Sequence, residues 1–187
     1  MNFPYPDFVH LNNIVTKENS DCRYYLSIPF VKANNPKTMT VIMKNPSTAD
    51  AFLSDPTADR VCKFAFHHEF ERVVIVNLFA YRTSDPALLK TMSDKHGLDY
   101  IIGQENNSHI NNAVCEANKV VVAWGAPPDK FKPKYDKRIE QVWTMLQGIP
   151  LYYVGSLSNG QYPLHGLRWS NSKAIRIYVQ HDCQRKV

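Results

Sequence analysis

The chain has 187 residues, 44% of them hydrophobic and 21% charged. That balance excludes a disordered or fibrous protein, and the length suits one domain that buries its own core without disulfides. Lysine and arginine outnumber aspartate and glutamate by 22 to 17, a net +5 that favours a polyanionic partner such as nucleic acid without requiring one.

Residues 1–22 form an N-terminal extension with no cationic start followed by an apolar run, so an export signal is not expected. Residues 23–28 predict a short strand, and 38–43 a more apolar one that runs into Lys44 and Asn45 before Pro46 stops it. A helix follows over residues 60–70, with Val61, Phe64 and Ala65 on one face and Asp55 or Asp59 available to start it. Arg-Val-Val-Ile-Val-Asn at 72–77 is the continuous apolar run of a strand covered on both faces. Residues 104–117 read as helix, and 119–123 as a second buried strand ended by Trp124 and Gly125. Residues 139–146 read as helix through Ile139, Val142, Trp143 and Leu146, and 151–154 as strand. The Pro- and Lys-rich stretch 126–137 and residues 156–172 are the two long loops. This alternation predicts a single domain over residues 1–187, a three-layer α/β/α sandwich with a mainly parallel central sheet.

Parallel α/β sheets bind ligands beyond the carboxyl ends of their strands. Those ends carry Asn45-Pro46-Ser47-Thr48-Ala49-Asp50, Asn77-Leu78-Phe79-Ala80-Tyr81-Arg82, Ala123-Trp124-Gly125, and, after Gly155 and Asn159-Gly160, the run Pro163-Leu164-His165-Gly166-Leu167-Arg168-Trp169. A strand-end asparagine offers both a donor and an acceptor to the edge of a heterocyclic base, although it serves equally well to close a turn. Asp55-Pro56-Thr57 has the form of a helix N-cap, which leaves Asp50 as the expected catalytic carboxylate. His165 sits in a glycine-flanked loop, where it can donate to a leaving group. Lys130, Lys132 and Lys134 interleave with Phe131 and Tyr135, a spacing that suits phosphate contacts plus base stacking, or simply a solvated surface.

The four cysteines are dispersed, with no C-x-x-C pair or Cys/His cluster, so no metal site is expected. No phosphate-loop, dinucleotide or G-x-S-x-G motif occurs, and no cofactor is expected. With no apolar run of membrane-spanning length, the expectation is a cytoplasmic monomer with reduced thiols.

Asn45-Pro46-Ser47-Thr48-Ala49-Asp50, Asp55-Pro56-Thr57, Arg60, Asn77-Leu78-Phe79-Ala80, Arg82, Asp85-Pro86 and Ala123-Trp124-Gly125, in that order, resemble the bacterial and phage family catalogued as domain of unknown function 1643. The likeness spans residues 23–169. It departs from the family pattern at His165-Gly166-Leu167, where His-Pro-Leu is expected, and in an added stretch at 95–102. More distantly, Asn45-Pro46, Val74-Ile75-Val76-Asn77, Val121-Val122-Ala123-Trp124-Gly125 and His165-Gly166-Leu167 resemble the ordered motifs of the uracil-DNA glycosylase superfamily.

That second resemblance implies a uracil-DNA-glycosylase-like fold and a role for each matching residue. Asn45 positions the attacking water, Asn77 pairs with a flipped pyrimidine, His165 donates to the departing base, and Leu167 wedges into the duplex. Ser47 and a stacking phenylalanine, Phe52 or Phe64, complete the base pocket. Arg82, Arg168, Lys130, Lys132 and Lys134 are the expected DNA contacts, on double-stranded DNA with a flipped base or on a single strand. An asparagine is no general base at neutral pH, so Asp50 or Asp55 must assist the water. The implied activity is a monofunctional DNA glycosylase acting on a damaged or modified pyrimidine, hypermodified cytosine of phage DNA included, and leaving an abasic site. Two alternatives stand beside it: a hydrolase or transferase of free nucleotides or nucleosides, and a non-catalytic nucleic-acid-binding module.

Overall fold

A computed structural model describes residues 3–31, 37–158 and 161–179 of the chain. Asn159, Gly160 and Cys183 lie outside the described residues. In chain order, β1 (Val15–Glu18) and β2 (Arg23–Pro29) are followed by β3 (Thr38–Met43), α1 (Pro56–His67) and β4 (Arg72–Asn77). Then come α2 (Ala87–His96), α3 (Leu98–Ile102), α4 (Asn106–Cys115), β5 (Lys119–Val122), α5 (Lys132–Met145) and β6 (Leu151–Val154). A small ribbon of β7 (Leu157–Ser158) and β8 (Tyr162–Pro163), a 3-10 turn at Gly166–Arg168 and β9 (Ile175–Ile177) complete the described elements.

The sheet has seven strands in the order β1-β2-β4-β3-β5-β6-β9. Its centre, β4-β3-β5-β6, is parallel, as the apolar runs predict. The flanks are not: β1 on β2, β2 on β4 and β9 on β6 all pair antiparallel, so the expectation of a mainly parallel sheet is corrected to a mixed one. The reason is local. β1 and β2 are joined by a short turn, and β9 follows β6 with no intervening α-helix, whereas a parallel return needs a long crossover.

Side chains alternate across the strands and build two cores. Met39, Val41, Val73, Ile75 and Val121 pack with Val61, Phe64 and Ala65 of α1 and with Trp169. Ile42, Val74, Val76, Val120 and Val122 pack on the opposite side with Leu89, Ile101, Ile110 and Val142 from α2 to α5. Helices thus cover both faces, in three layers. The N-terminal extension belongs to the same body, since Tyr5 and Val9 are buried in the α1-side core and β1 adds an edge strand.

Helix starts differ from the sequence reading in two instructive ways. α1 begins at Pro56 because the Asp55 carboxylate caps it, accepting from the Thr57 and Ala58 N–H groups, with Pro56 in the first turn where its missing N–H costs nothing. α5 begins at Lys132, inside the stretch expected to be loop, and for a similar reason: Pro133 lies in its first turn. The helices α2 and α3 occupy residues for which the sequence predicts no element.

Candidate functional site

The parallel strands bring their carboxyl ends to one edge of the sheet. Because β2 runs against β4, it delivers its first residue to that same edge, where the Arg23 N–H donates to Ala80 O at 2.9 Å. A cleft of about 350 Å³ opens here, and Arg23, Asn45, Asp55, Thr83, His165 and Leu167 are among the residues that line it, with Ser47 and Thr57 beside them. Its size falls within the range of small-molecule sites.

The loop after β3 is held from within. Asn45 Nδ2 donates to Thr83 O at 2.7 Å and to Pro46 O at 3.0 Å. Both amide hydrogens are therefore engaged, and the acceptor Oδ1 is what remains for a ligand or a water. Arg82 braces the next residues, from Nε to Ser47 O at 3.1 Å and from Nη2 to Thr48 O and Ala49 O at 3.2 and 3.0 Å, while Nη1 pairs with Glu18 at 3.1 Å. Arg82, expected to meet DNA, is thus the brace of the site loop.

The carboxylate of the cleft is Asp55 rather than Asp50. Asp50 Oδ1 accepts from the Phe52 and Leu53 N–H groups at 2.8 Å, closing a turn outside the cleft lining. Phe52, expected to stack on a base, is 85% exposed on that turn and does not line the cleft. Asp55 gives Oδ1 to the start of α1, at 2.8 Å from both Thr57 N and Ala58 N, and Oδ2 to Ala49 N at 3.3 Å. Its Oδ2 keeps acceptor capacity for a further hydrogen.

Asn77 ends β4 on the same face as Val73 and Ile75; Ile75 lines the cleft, whereas Asn77 itself does not. Its side chain is buried, and neither Oδ1 nor Nδ2 has a hydrogen-bond partner among the described residues. Leaving such groups unpaired costs about 1–3 kcal/mol each. The backbone beneath is firmly held, with Asn106 Nδ2 donating to Asn77 O and Leu78 O at 3.0 and 3.1 Å and Arg138 Nε donating to Leu78 O at 2.8 Å.

His165 Nδ1 accepts from the Leu167 N–H at 3.3 Å, which assigns the proton of the neutral ring to Nε2. Burial, with the Lys44 charge second, pushes its pKa down to about 4, against an opposing pull from Asp55. The imidazole is therefore a neutral donor at neutral pH. Gly166 follows because a side chain there would collide with α1: a Cβ would stand 2.8 Å from Val61 Cγ2. That contact gives the His-Gly-Leu sequence its physical reason. Leu167 is 49% exposed at the rim, with Arg168 exposed beside it.

The basic stretch is not the stacking surface its composition suggests. Phe131 and Tyr135 are buried in the core, and the Tyr135 hydroxyl donates to Trp124 O at 2.8 Å. Lys132 pairs with Asp136, Lys134 donates to Asp94 at 2.8 Å and Ser93 Oγ at 3.0 Å, and Lys130 occupies a left-handed turn at φ +54° ahead of α5. Two cations that the sequence does not single out lie nearer the cleft residues. Arg23 lines the cleft, and Lys44, half-buried after β3, donates to Ala126 O at 2.7 Å, with that desolvation pushing its ammonium down to about 8.

Fold and cleft together define an α/β sandwich with a pocket at the carboxyl edge of its parallel strands, in which a few polar side chains stand among apolar ones. The chain belongs to the family described as protein of unknown function DUF1643, which matches residues 23–167. No curated protein and no solved structure matches it. Among the described residues, no helix is long and apolar enough to cross a membrane, and no group of three or more His, Cys, Asp or Glu residues is placed to hold a metal ion.

Proposed function

We propose that the protein is a monofunctional DNA glycosylase of uracil-DNA-glycosylase-like architecture that removes a flipped, modified pyrimidine and leaves an abasic site. The observation that carries this reading is the meeting of Asn45, Asp55, His165 and Leu167, from separate strand ends, around one cleft. Breaking the bond from the sugar carbon to the base nitrogen sends its electron pair to the base and leaves positive charge on the sugar. The Nε2–H of neutral His165 stabilises the departing base. Asn45 Oδ1 accepts a hydrogen of the attacking water, and Asp55 takes the proton as the new carbon–oxygen bond forms. Asn77 has an unpaired donor and acceptor to match against a pyrimidine edge. Leu167 at the rim supplies an apolar group to fill the gap in the stack. A part in attacking hypermodified phage DNA is the biological extension of this proposal.

The test is a screen for alkali-labile strand breaks on DNAs carrying uracil, thymine mismatches and hypermodified cytosines. Breaks with one of them, lost in His165→Ala, are expected; intact strands throughout reject the reading. A second reading, hydrolysis of free nucleosides or nucleotides in the same cleft, is favoured by the internal engagement of Lys132, Lys134 and Arg82. It predicts turnover of monomers with little dependence on salt, whereas DNA binding weakens steeply as salt rises.

A further inference from the structure

Arg23 is an unusual residue to find at the start of a strand covered on both faces. It is 3% exposed, lines the cleft, and takes no part in the ion pairs among the described residues. Among the described residues, only Nη1 of its guanidinium has a hydrogen-bond partner, the carbonyl of Ala49. Nε has none, and Nη2 makes no hydrogen bond among the described residues. Those two nitrogens form the side-on fork of an arginine, the edge that grips two oxygens of a phosphate or carboxylate at once. A buried charge left without a counter-ion is strongly unfavourable unless something satisfies it.

No carboxylate stands within ion-pair distance of Arg23 among the described residues; the charges of Asp55 and Glu18 act on it only from further off, and the cleft adds hydroxyl-bearing residues. Ser47, Thr48 and Thr57 bring hydroxyls to the same cleft, while Asp55 commits Oδ1 to the amides that start α1. The guanidinium of Arg82, braced against the carbonyl of Ala49 as well, adds positive potential nearby. Burial, with that neighbouring charge second, brings Arg23 down to about 10, so it remains a cation at neutral pH.

We propose that Arg23 is the anion receptor of the cleft and that the anion is the phosphate of a nucleotide. The receptor stands on the guanidinium itself; naming its ligand as a nucleotide rests on the reading of the cleft given above. The phosphate has two sources, a free nucleotide or the backbone beside a flipped nucleotide. The His165 side of the cleft then takes the base, and the Arg23 side takes the phosphate.

Titration of the purified protein with 2′-deoxycytidine and with 2′-deoxycytidine 5′-monophosphate tests it without any variant. The nucleotide is expected to bind at least about tenfold more tightly, the gain typical of a charge-assisted contact. Arg23→Met removes that preference and Arg23→Lys keeps part of it. Equal affinities, or no binding of either ligand, overturn the proposal. Should Arg23→Met fail to fold, inorganic phosphate decides with the natural chain: a rise in melting temperature beyond that given by equal ionic strength of chloride is expected, and none overturns the assignment. Binding to DNA carrying a tetrahydrofuran abasic analogue, with and without one neutral methylphosphonate beside it, separates the sources. A tenfold loss assigns the phosphate to the backbone, and no loss, with the monophosphate preference intact, assigns it to a free nucleotide. Absence of alkali-labile sites on every DNA tested, with the phosphate preference intact, overturns the glycosylase reading alone. Abasic-site formation indifferent to Arg23→Met and to the methylphosphonate overturns the receptor alone.

Discussion

Gly125 and His165 meet so closely that a methyl group on Gly125 would stand 3.3 Å from the His165 Cβ. Gly125 also has φ +67°, a conformation that side chains rarely adopt, and its N–H donates to Pro163 O at 3.0 Å just ahead of the histidine. The Trp-Gly end of β5 is therefore the seat of the His165 loop. Gly125→Ala is expected to lower stability by about 1–2 kcal/mol, from backbone strain and the tight contact together. Because the displaced group is His165, activity should fall further than stability does. Melting curves beside single-turnover rates on the same samples check this, and equal losses would remove the seat argument.

Asn77 offers the opposite balance. Its buried amide has no partner among the described residues, so Asn77→Leu, close in volume, is expected to leave stability unchanged or raise it by about 1–2 kcal/mol. Base removal should be abolished. A variant that melts earlier than the natural chain would show that the amide supports the fold rather than the substrate.

The two aspartates are distinguished by one pair of substitutions. Asparagine caps a helix about as well as aspartate, so Asp55→Asn should keep stability within about 1 kcal/mol while removing the acceptor for the water's proton, with a rate loss of roughly 10²–10⁴. Asp50→Ala breaks only an exposed turn and should change the rate by less than about threefold. If Asp50→Ala proves the more damaging, the carboxylate has been wrongly assigned.

Protonation of His165 links stability to pH. Its folded pKa is about 4 against 6.5 ordinarily, so the unfolded chain takes up the proton first as pH falls. The contribution is complete above pH 6.5 and is lost between 6.5 and about 4, with an upper bound on the order of 3 kcal/mol. Unfolding midpoints in urea measured from pH 7 to pH 4 should decline, and His165→Gln should flatten part of that decline. An unchanged slope in the variant would exclude the histidine as its source.

Surface cations already paired with the protein's own carboxylates, as Lys132 is with Asp136 and Lys134 with Asp94, are weaker phosphate contacts than unpaired ones. The double variant Lys132→Ala, Lys134→Ala is expected to alter DNA affinity by less than about threefold, whereas Arg168→Ala should lower the salt slope by about one. Fluorescence anisotropy across a salt series measures both. A flat salt dependence in the natural chain would favour the monomer substrate.

Much of this was open to inspection in the chain itself, for a physical reason. β3, β4 and β5 are buried on both faces, and that doubles their apolar signal, with β6 half-buried beside them; the polar terminations then point to Asn45, Ser47 and His165 as residues of one edge. Helices α2 and α3 pass unnoticed because Leu89 and Ser93 are the only buried residues along Ala87–His96, too thin a stripe to set a period. Pro133 disguises the start of α5, since a proline in a first turn and one in a loop look alike in sequence. Arg23 stays hidden for a topological reason. It opens a strand instead of closing one, and only the antiparallel pairing of β2 with β4 turns a strand beginning into part of the site. Asp55 is a helix cap, as its sequence suggests, and lines the cleft as well, because a residue can cap a helix and still face a cleft.

The Tyr5 hydroxyl donates to Asp50 O at 2.6 Å, and Ser54 N donates to Phe3 O at 2.8 Å. Both anchors of the 50–54 turn thus come from ahead of residue 23, where the shared family segment begins, and β9 lies beyond residue 167, where it stops. A gene fragment cut to the family limits would lose both outer strands and the hook that fastens the turn next to Asp55. Homologues differing before residue 23 can therefore differ in how tightly that turn is fastened, with every shared motif unchanged.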